Sequence, residues 1–289
     1  MSVADTDRKV LHVITTLQTG GAETMLASLV LAKRAGALSV RVVSLLPGGA
    51  IFQRLQAAGV AVLDLGVTRG RPSLRSVFRL ARLIRAERPH VVQSWTYHAD
   101  LTATAALALS GRWARTKLYW GVRCSDMQLD RYGWPLRVAV PVCVRLSRFP
   151  DAIVANSEAG RDFHLRLGYR PKRFIVIENG IDTVRFRPDA TVRKRVREEL
   201  GIGQDSPLLA LVGRVDPMKD HECFLAALGR LSGVSALAVG EGTDRLPGLS
   251  GLYRLGPRQD IPDILAACDI VVSSSAFGEG FSNAIAEGM

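Results

Sequence analysis

The sequence predicts an α/β protein made of two doubly wound parallel sheets. Three observations carry this prediction. Short apolar, β-branched runs alternate with helical stretches along the whole chain, which is the rhythm of βαβ units and a parallel sheet. That alternation pauses near residue 185, where Asn179-Gly180-Ile181-Asp182 reads as a turn and Phe186-Arg187-Pro188-Asp189 as a linker, and then restarts. Finally, 289 residues exceed the ~100–200 of one ordinary core. The domains are therefore set at residues 1–185 and 186–289.

In chain order, Val10–Thr15 reads as the first strand, and a helix follows from about Ala22 to Ala35. Val40–Leu45, Val60–Leu65, Val91–Ser94, Leu118–Trp120 and Ala152–Ala155 are further strands with helical stretches between most of them, and Ile175-Val176-Ile177 closes the series. The second series has strands at Leu208–Val212, Leu237–Val239, Tyr253–Leu255 and Ile270–Ser273, with helices near 218–231, 260–267 and 280–288. With about four strands and an end inside a helix, this second domain reads as incomplete by roughly 70–90 residues of ordinary domain size.

The bulk numbers narrow the class. The composition, 47% hydrophobic and 22% charged, is that of a globular protein, and no apolar run approaches the ~18 residues of a membrane span. The short acidic start, Met1 to Asp7, is no signal peptide. Cys124, Cys143, Cys223 and Cys268 have no Cys-x-x-Cys spacing and read as reduced, mostly buried thiols. Charge is uneven: residues 1–185 carry 27 Lys and Arg against 13 Asp and Glu, whereas residues 186–289 carry 11 against 14. A basic first domain implies an anionic partner there.

The chemistry-bearing segments fall at strand ends. Phe277-Gly278-Glu279-Gly280-Phe281-Ser282-Asn283 follows an apolar strand and opens a helix, offering free backbone N–H groups and a positive helix end to a phosphate. Glu279 and Glu287 are eight residues apart, two helical turns, so they are expected on one helix face, one near sugar hydroxyls and the other near a ribose. Arg214 and Lys219 lie at opposite ends of the loop after Leu208–Val212, a planar fork and a mobile point charge suited to clamping a diphosphate and stabilising its charge as it leaves. Gln18-Thr19-Gly20-Gly21-Ala22-Glu23 lacks Gly-x-Gly-x-x-Gly and the P-loop pattern. It reads either as a plain tight turn or as a close backbone approach to a ligand. Trp95-Thr96-Tyr97-His98-Ala99-Asp100 sits where α/β sheets place ligands, and His98 reads equally as a structural or a functional histidine. Arg75, Arg79, Arg82 and Arg85 recur at helical spacing opposite Val77, Leu80, Ala81 and Ile84, with Phe78 at the flank. That stripe is either a solvated face or a helix on an anionic membrane. Asp5-Thr6-Asp7 has the spacing of a metal–diphosphate motif but lies in a terminal tail, and we treat it as chance; no other metal ligands cluster.

As a set, these segments resemble the retaining, GT-B-fold nucleotide-sugar glycosyltransferases of family 4. The resemblance rests on Gly20 to Glu23, Gln93 to Asp100, Ala155-Asn156-Ser157-Glu158, Glu178 to Asp182, Gly213 to His221, Leu255 to Pro262 and Glu279 to Glu287, in the family's order. It implies two Rossmann-like domains facing across a cleft. It also implies that Arg214 and Lys219 hold the donor diphosphate, that Glu279 binds the transferred sugar and Glu287 the ribose, and that the backbone of Gly280, Phe281 and Ser282 meets a phosphate. Arg258 is expected to bind donor, Gly20 and Gly21 to approach it from the first domain, and His98 to sit beside the sugar. No tightly bound metal or other cofactor is implied, the nucleotide-sugar being a substrate. The implied partners are a nucleotide-sugar donor, probable in the form of a UDP-sugar, a saccharide or lipid-linked acceptor and an anionic membrane met by the basic first domain, with no nucleic acid. The implied role is envelope polysaccharide or glycolipid synthesis, in the cytoplasm or on the inner face of its membrane. Against the family pattern, the stretch between Val239-Gly240-Glu241-Gly242 and Leu255 is shorter by roughly ten residues, so a helix is expected to be lost there. A GT-B-fold sugar-nucleotide epimerase and a non-catalytic membrane-surface or scaffold protein are the competing readings.

Overall fold

The computed structural model describes residues 8–32, 38–68 and 73–289. Asp5-Thr6-Asp7 and the end of the expected first helix, 33–35, lie outside the described residues. The chain divides into two compact units, Met1–Glu178 and Asn179–Met289. The sequence reading set the boundary at 185. Residues from Asn179 on belong to the second unit because Asn179 donates to the Asn283 side chain at 2.7 Å and Phe186 packs on that unit's core.

The first unit runs β1 (Arg8–Ile14), α1 (Gly21–Ala32), β2 (Leu38–Ser44), α2 (Ala50–Ala57), β3 (Ala61–Asp64), α3 (Leu74–Glu87), β4 (Val91–Ser94), α4 (Tyr97–Leu109), β5 (Lys117–Val122), α5 (Trp134–Leu146), β6 (Ala152–Ala155), α6 (Glu158–Arg166) and β7 (Phe174–Val176). Its strands form one parallel sheet in the order β3-β2-β1-β4-β5-β6-β7. Side chains alternate across the pleat. Leu11, Val13 and Val43 join the core under α3, α4 and α5, whereas Ile14 and Val42 join the opposite core with Leu26 and Val30 of α1 and Ile51 and Leu55 of α2. Such strands, covered on both faces, are the continuous apolar runs seen in the sequence.

The second unit runs α7 (Ala190–Glu199), β8 (Leu208–Val212), α8 (His221–Leu228), β9 (Ser235–Val239), β10 (Leu252–Gly256), α9 (Ile261–Ala267), β11 (Ile270–Val271) and α10 (Asn283–Gly288), with the sheet order β10-β9-β8-β11, all parallel. Leu208, Ala210, Leu237 and Val239 face α7 and α9, while Leu211 and Ala236 face Phe224 and Leu228 of α8. Between β9 and β10 there is only a 3-10 turn, Thr243–Arg245, so the connection that reads as short carries no α-helix. The helix α7 replaces what the sequence reading left between linker and strand. Asp189 caps it, accepting from the Thr191 and Val192 N–H groups at 2.9 and 3.0 Å. Arg197 of α7 is fully buried and donates to the carbonyls of Ala267, Gly203, Gln204 and Ser206 and to Asp269.

Each sheet reverses its winding at one place, between β1 and β4 in the first unit and between β8 and β11 in the second. In open α/β sheets the crevice beyond the carboxyl ends of the strands at such a switch point is where ligands bind.

Candidate functional site

The second unit's switch point is framed by the loop 213–220 after β8 and the segment 272–282 after β11. The two are stitched together: the Ala276 N–H donates to the Met218 carbonyl at 2.9 Å and the Ser274 hydroxyl to the Lys219 carbonyl at 2.7 Å. Across this seam Lys219 Nζ forms an ion pair with Glu279, whose same oxygen Oε1 accepts from the Ser275 hydroxyl at 2.9 Å. Lys219 is able to lie flat here because Gly213 has no side chain; a Cβ there would meet the lysine Cδ and Cε at 3.3 Å. Asp220, in the left-handed region at φ 45°, ends the loop and caps α8 through the Cys223 N–H at 3.1 Å.

Arg214 is about half exposed and reaches Asp216 at 3.3 Å. Asp216 also shapes the loop by accepting from the Met218 N–H at 3.0 Å. The loop after β9 supports the same frame. The Val215 N–H donates to the Glu241 carbonyl at 2.8 Å, and Gly240, at φ 140°, lies so near Gly213 that a Cβ would sit 2.3 Å from its carbonyl oxygen. His221 is buried below Lys219; desolvation lowers its pKa, and the Gly213 carbonyl partly opposes that.

The structure corrects one expectation about the two glutamates. They do not share a helix face, because α10 begins only at Asn283. Gly278 takes φ 81° and Gly280-Phe281-Ser282 stay non-helical, which leaves Glu279 in the loop and turned onto Lys219. Ser282 is the helix N-cap, and its side chain makes no cap bond. Glu287 lies in the helix proper. Burial pushes its carboxyl up to about 7, with Arg185 pulling it the other way. Arg258, after β10, is committed to a bidentate pair with Asp260, at 2.8 and 2.5 Å. It is therefore not joined to the Lys219–Glu279 pair.

In the first unit, Gly20 and Gly21 open α1 after β1, and His98 stands in the first turn of α4 after β4. The loops are tied by a hydrogen bond between the Thr15 and Thr96 hydroxyls and by Trp95 Nε1, which donates to His12 Nδ1 at 3.1 Å. His98 is half-buried, and desolvation lowers its pKa while its ring donates to the Pro135 carbonyl. It is thus a neutral imidazole at pH 7. Asp216, Ser274, Ser275 and Gly240 were not singled out from the sequence; the run Ser273-Ser274-Ser275 at a strand end and the glycine of Val239-Gly240 were the signals available. Among the described residues no group of three His, Cys, Asp or Glu side chains is placed to hold a metal.

With this geometry in hand, comparison is informative. Residues 19–185 match the family model described as Glycosyltransferase Family 4, and residues 206–289 match that of Glycosyl transferases group 1. The chain belongs to Glycosyltransferase Family 4. Among curated members, D-inositol 3-phosphate glycosyltransferase of Mycobacterium tuberculosis (strain F11) is 32% identical over 149 residues, 45% of this chain and 30% of that protein. D-inositol 3-phosphate glycosyltransferase 2 of Catenulispora acidiphila is 30% identical over 125 residues, 40% of this chain and 29% of that protein. The matched stretch thus spans less than a third of these relatives' length. Among solved structures, Anabaena HepE in complex with UDP and glucose aligns with a TM-score of 0.81 at 22% identity, covering 97% of this chain and 78% of that one. A glycosyltransferase from Rickettsia africae aligns at 0.75 and 18%, covering 98% and 76%. At such identities the likeness is one of fold, and the family 4 chain has the GT-B class of architecture.

Proposed function

We propose that this family 4 chain takes part in moving a sugar from a nucleotide diphosphate sugar, a UDP-sugar, to a saccharide or lipid-linked acceptor with retention of anomeric configuration, in the synthesis of envelope polysaccharide or glycolipid. The observation that carries the proposal is the Lys219–Glu279 ion pair at the switch point, with Arg214 beside Lys219 on the same loop. A donor supplies substitutes for both halves of that pair. Its diphosphate takes over Lys219, and its sugar hydroxyls donate to the carboxylate of Glu279 that the lysine leaves. Arg214, held only by a long contact to Asp216, swings to the diphosphate at small cost and gives it a planar fork. As the glycosidic bond breaks, negative charge grows on the departing diphosphate, and fixed cations there stabilise the transition state more than the ground state. Gly280, Phe281 and Ser282 offer backbone N–H groups, Glu287 accepts from the ribose, and the acceptor attacks the face from which the diphosphate leaves. Neutral His98, in the first unit, suits a hydrogen bond to a sugar hydroxyl. Arg258 is the assigned donor residue with the least support, because Asp260 already engages it. The finding that Anabaena HepE was solved with UDP and glucose supports the choice of nucleotide.

The test is thermal unfolding with UDP in EDTA. The wild-type chain is expected to be stabilised by several degrees, and Lys219→Ala to lose most of that shift. A full shift in Lys219→Ala would overturn the assignment of the clamp. EDTA-sensitivity of the wild-type shift would overturn its independence from metal.

A further inference from the structure

The helix α5, Trp134–Leu146, buries Ala139, Val140 and Cys143 against the sheet and turns a strongly apolar stripe outward. Trp134 is 61% exposed, Val138 54% and Val142 37%, and Pro141 and Arg145 are exposed with them. At about 100° per residue these five positions fall within an arc of about 100°. At the helix's far end the exposed rings of Trp113 and Phe149 meet edge to face, and the Arg148 guanidinium lies over Phe149 at 5.2 Å. The helix carries Arg137 and Arg145 and no acidic residue. Beside it, α4 exposes Leu109, and α3, packed on α4, exposes Leu74 and Phe78 among Arg75, Arg82 and Arg85. Arg79, the fourth member of the stripe read from the sequence, is instead anchored on the Leu65 carbonyl at 2.8 Å.

We propose that the outer face of α3, α4 and α5 docks on an anionic lipid bilayer, with α5 lying in the headgroup region and Trp134, Val138 and Val142 inserted. The chemistry of the face selects this occupant. Aliphatic and aromatic side chains on an arginine-bearing helix match a surface that is apolar below and negative above. A groove for a protein partner would need concave walls, and this face consists of helix crests. The inference extends the reading of a lipid-linked acceptor, and rests on it for the purpose of docking but not for the docking itself.

The protein supplies its own probes. Trp95 and Trp120 are buried, while Trp113 and Trp134 are exposed on this face. The full chain is mixed with vesicles of phosphatidylcholine containing one quarter phosphatidylglycerol, with bilayer-brominated lipid as quencher. Expected are co-sedimentation that weakens at least ten-fold without phosphatidylglycerol or in high salt, and partial quenching of tryptophan emission. The double variant Val138→Asp, Val142→Asp, at exposed positions, is expected to lose at least ten-fold in vesicle binding along with the quenching, while keeping its melting temperature and its UDP shift. Vesicle binding by the double variant equal to wild type would overturn the proposal. So would absence of binding by the wild type, or a wild-type dimer that the variant dissolves while neither binds vesicles. Because the UDP shift is read separately, loss of this inference leaves the donor site standing, and the reverse holds too.

Discussion

Glu287 shows how far a single side chain can couple binding to pH. Its carboxyl, raised to about 7 by burial against the opposing pull of Arg185, favours the protonated form in the folded chain. Its contribution to stability is therefore full below the ordinary glutamate range near 4.5 and is lost as pH rises through 7. Replacing it with glutamine removes the cost of holding a buried charge. Glu287→Gln is expected to raise the melting temperature of the free protein by about 2–4 °C at pH 8 and by much less near pH 4.5. If the carboxylate accepts from the ribose hydroxyls, the same variant binds UDP about ten-fold more weakly at pH 8, the loss of one charge-assisted bond. Thermal scans with and without UDP at the two pH values check both halves. The identities of Lys219, Glu279 and Arg214 were legible in the sequence because their spacing relative to strand ends is local. What Glu279 touches was not legible: its partner is 60 residues away, and the backbone at Gly278 decides where the helix begins. The Arg258–Asp260 pair was local enough to read, but a bidentate engagement depends on rotamers that spacing does not encode.

At the scale of elements, strands were read best where both faces are buried. Leu208–Val212, Val91–Ser94 and Ala152–Ala155 agree residue for residue, since continuous apolar runs have no competing helical period. Strand β11 came out shorter than Ile270–Ser273 because its chain leaves the ladder to bond the loop 216–220. Helix α7, Ala-Thr-Val-Arg-Lys-Arg-Val-Arg-Glu-Glu, was missed because its packing side offers mainly Val192 and Val196, while Arg197 is buried instead of a third apolar residue. The loops, too, depend on backbone proximity that sequence conceals. Gly240 is required because two loops cross there with no room for a Cβ. Gly240→Ala is expected to destabilise the second unit by about 2–4 kcal/mol and to weaken UDP binding by displacing Gly213 from under Lys219. Chemical denaturation and the UDP thermal shift measure the two effects.

For the whole molecule, the decisive fact is that each unit has its own pair of cores, one on each face of its sheet. Such units unfold as separate cooperative bodies unless their interface is large and apolar. Calorimetry is expected to resolve two transitions, with UDP raising only the second unit's. Arg197→Met marks that unit: removing a buried guanidinium that serves four carbonyls and Asp269 is expected to cost about 3–5 kcal/mol, lowering one transition and sparing the other. A single transition that shifts as a whole would refute separate unfolding. The two-unit plan was legible because chain length and the restart of the βαβ rhythm are global signals. The exposed apolar face of α5 was not, because in sequence its valines look like those of any core helix.

The seam between β8 and β11 has a further consequence. Lys219 and Glu279 meet only after α8, β9, β10 and α9 have been placed between them in sequence and β11 has come to rest beside β8 in space. A half-assembled second unit holds every residue of the site and none of its geometry. A ligand that needs both groups therefore recognises completed topology, and by binding only that state it draws the population toward it. The site acts as a proofreader of its own sheet.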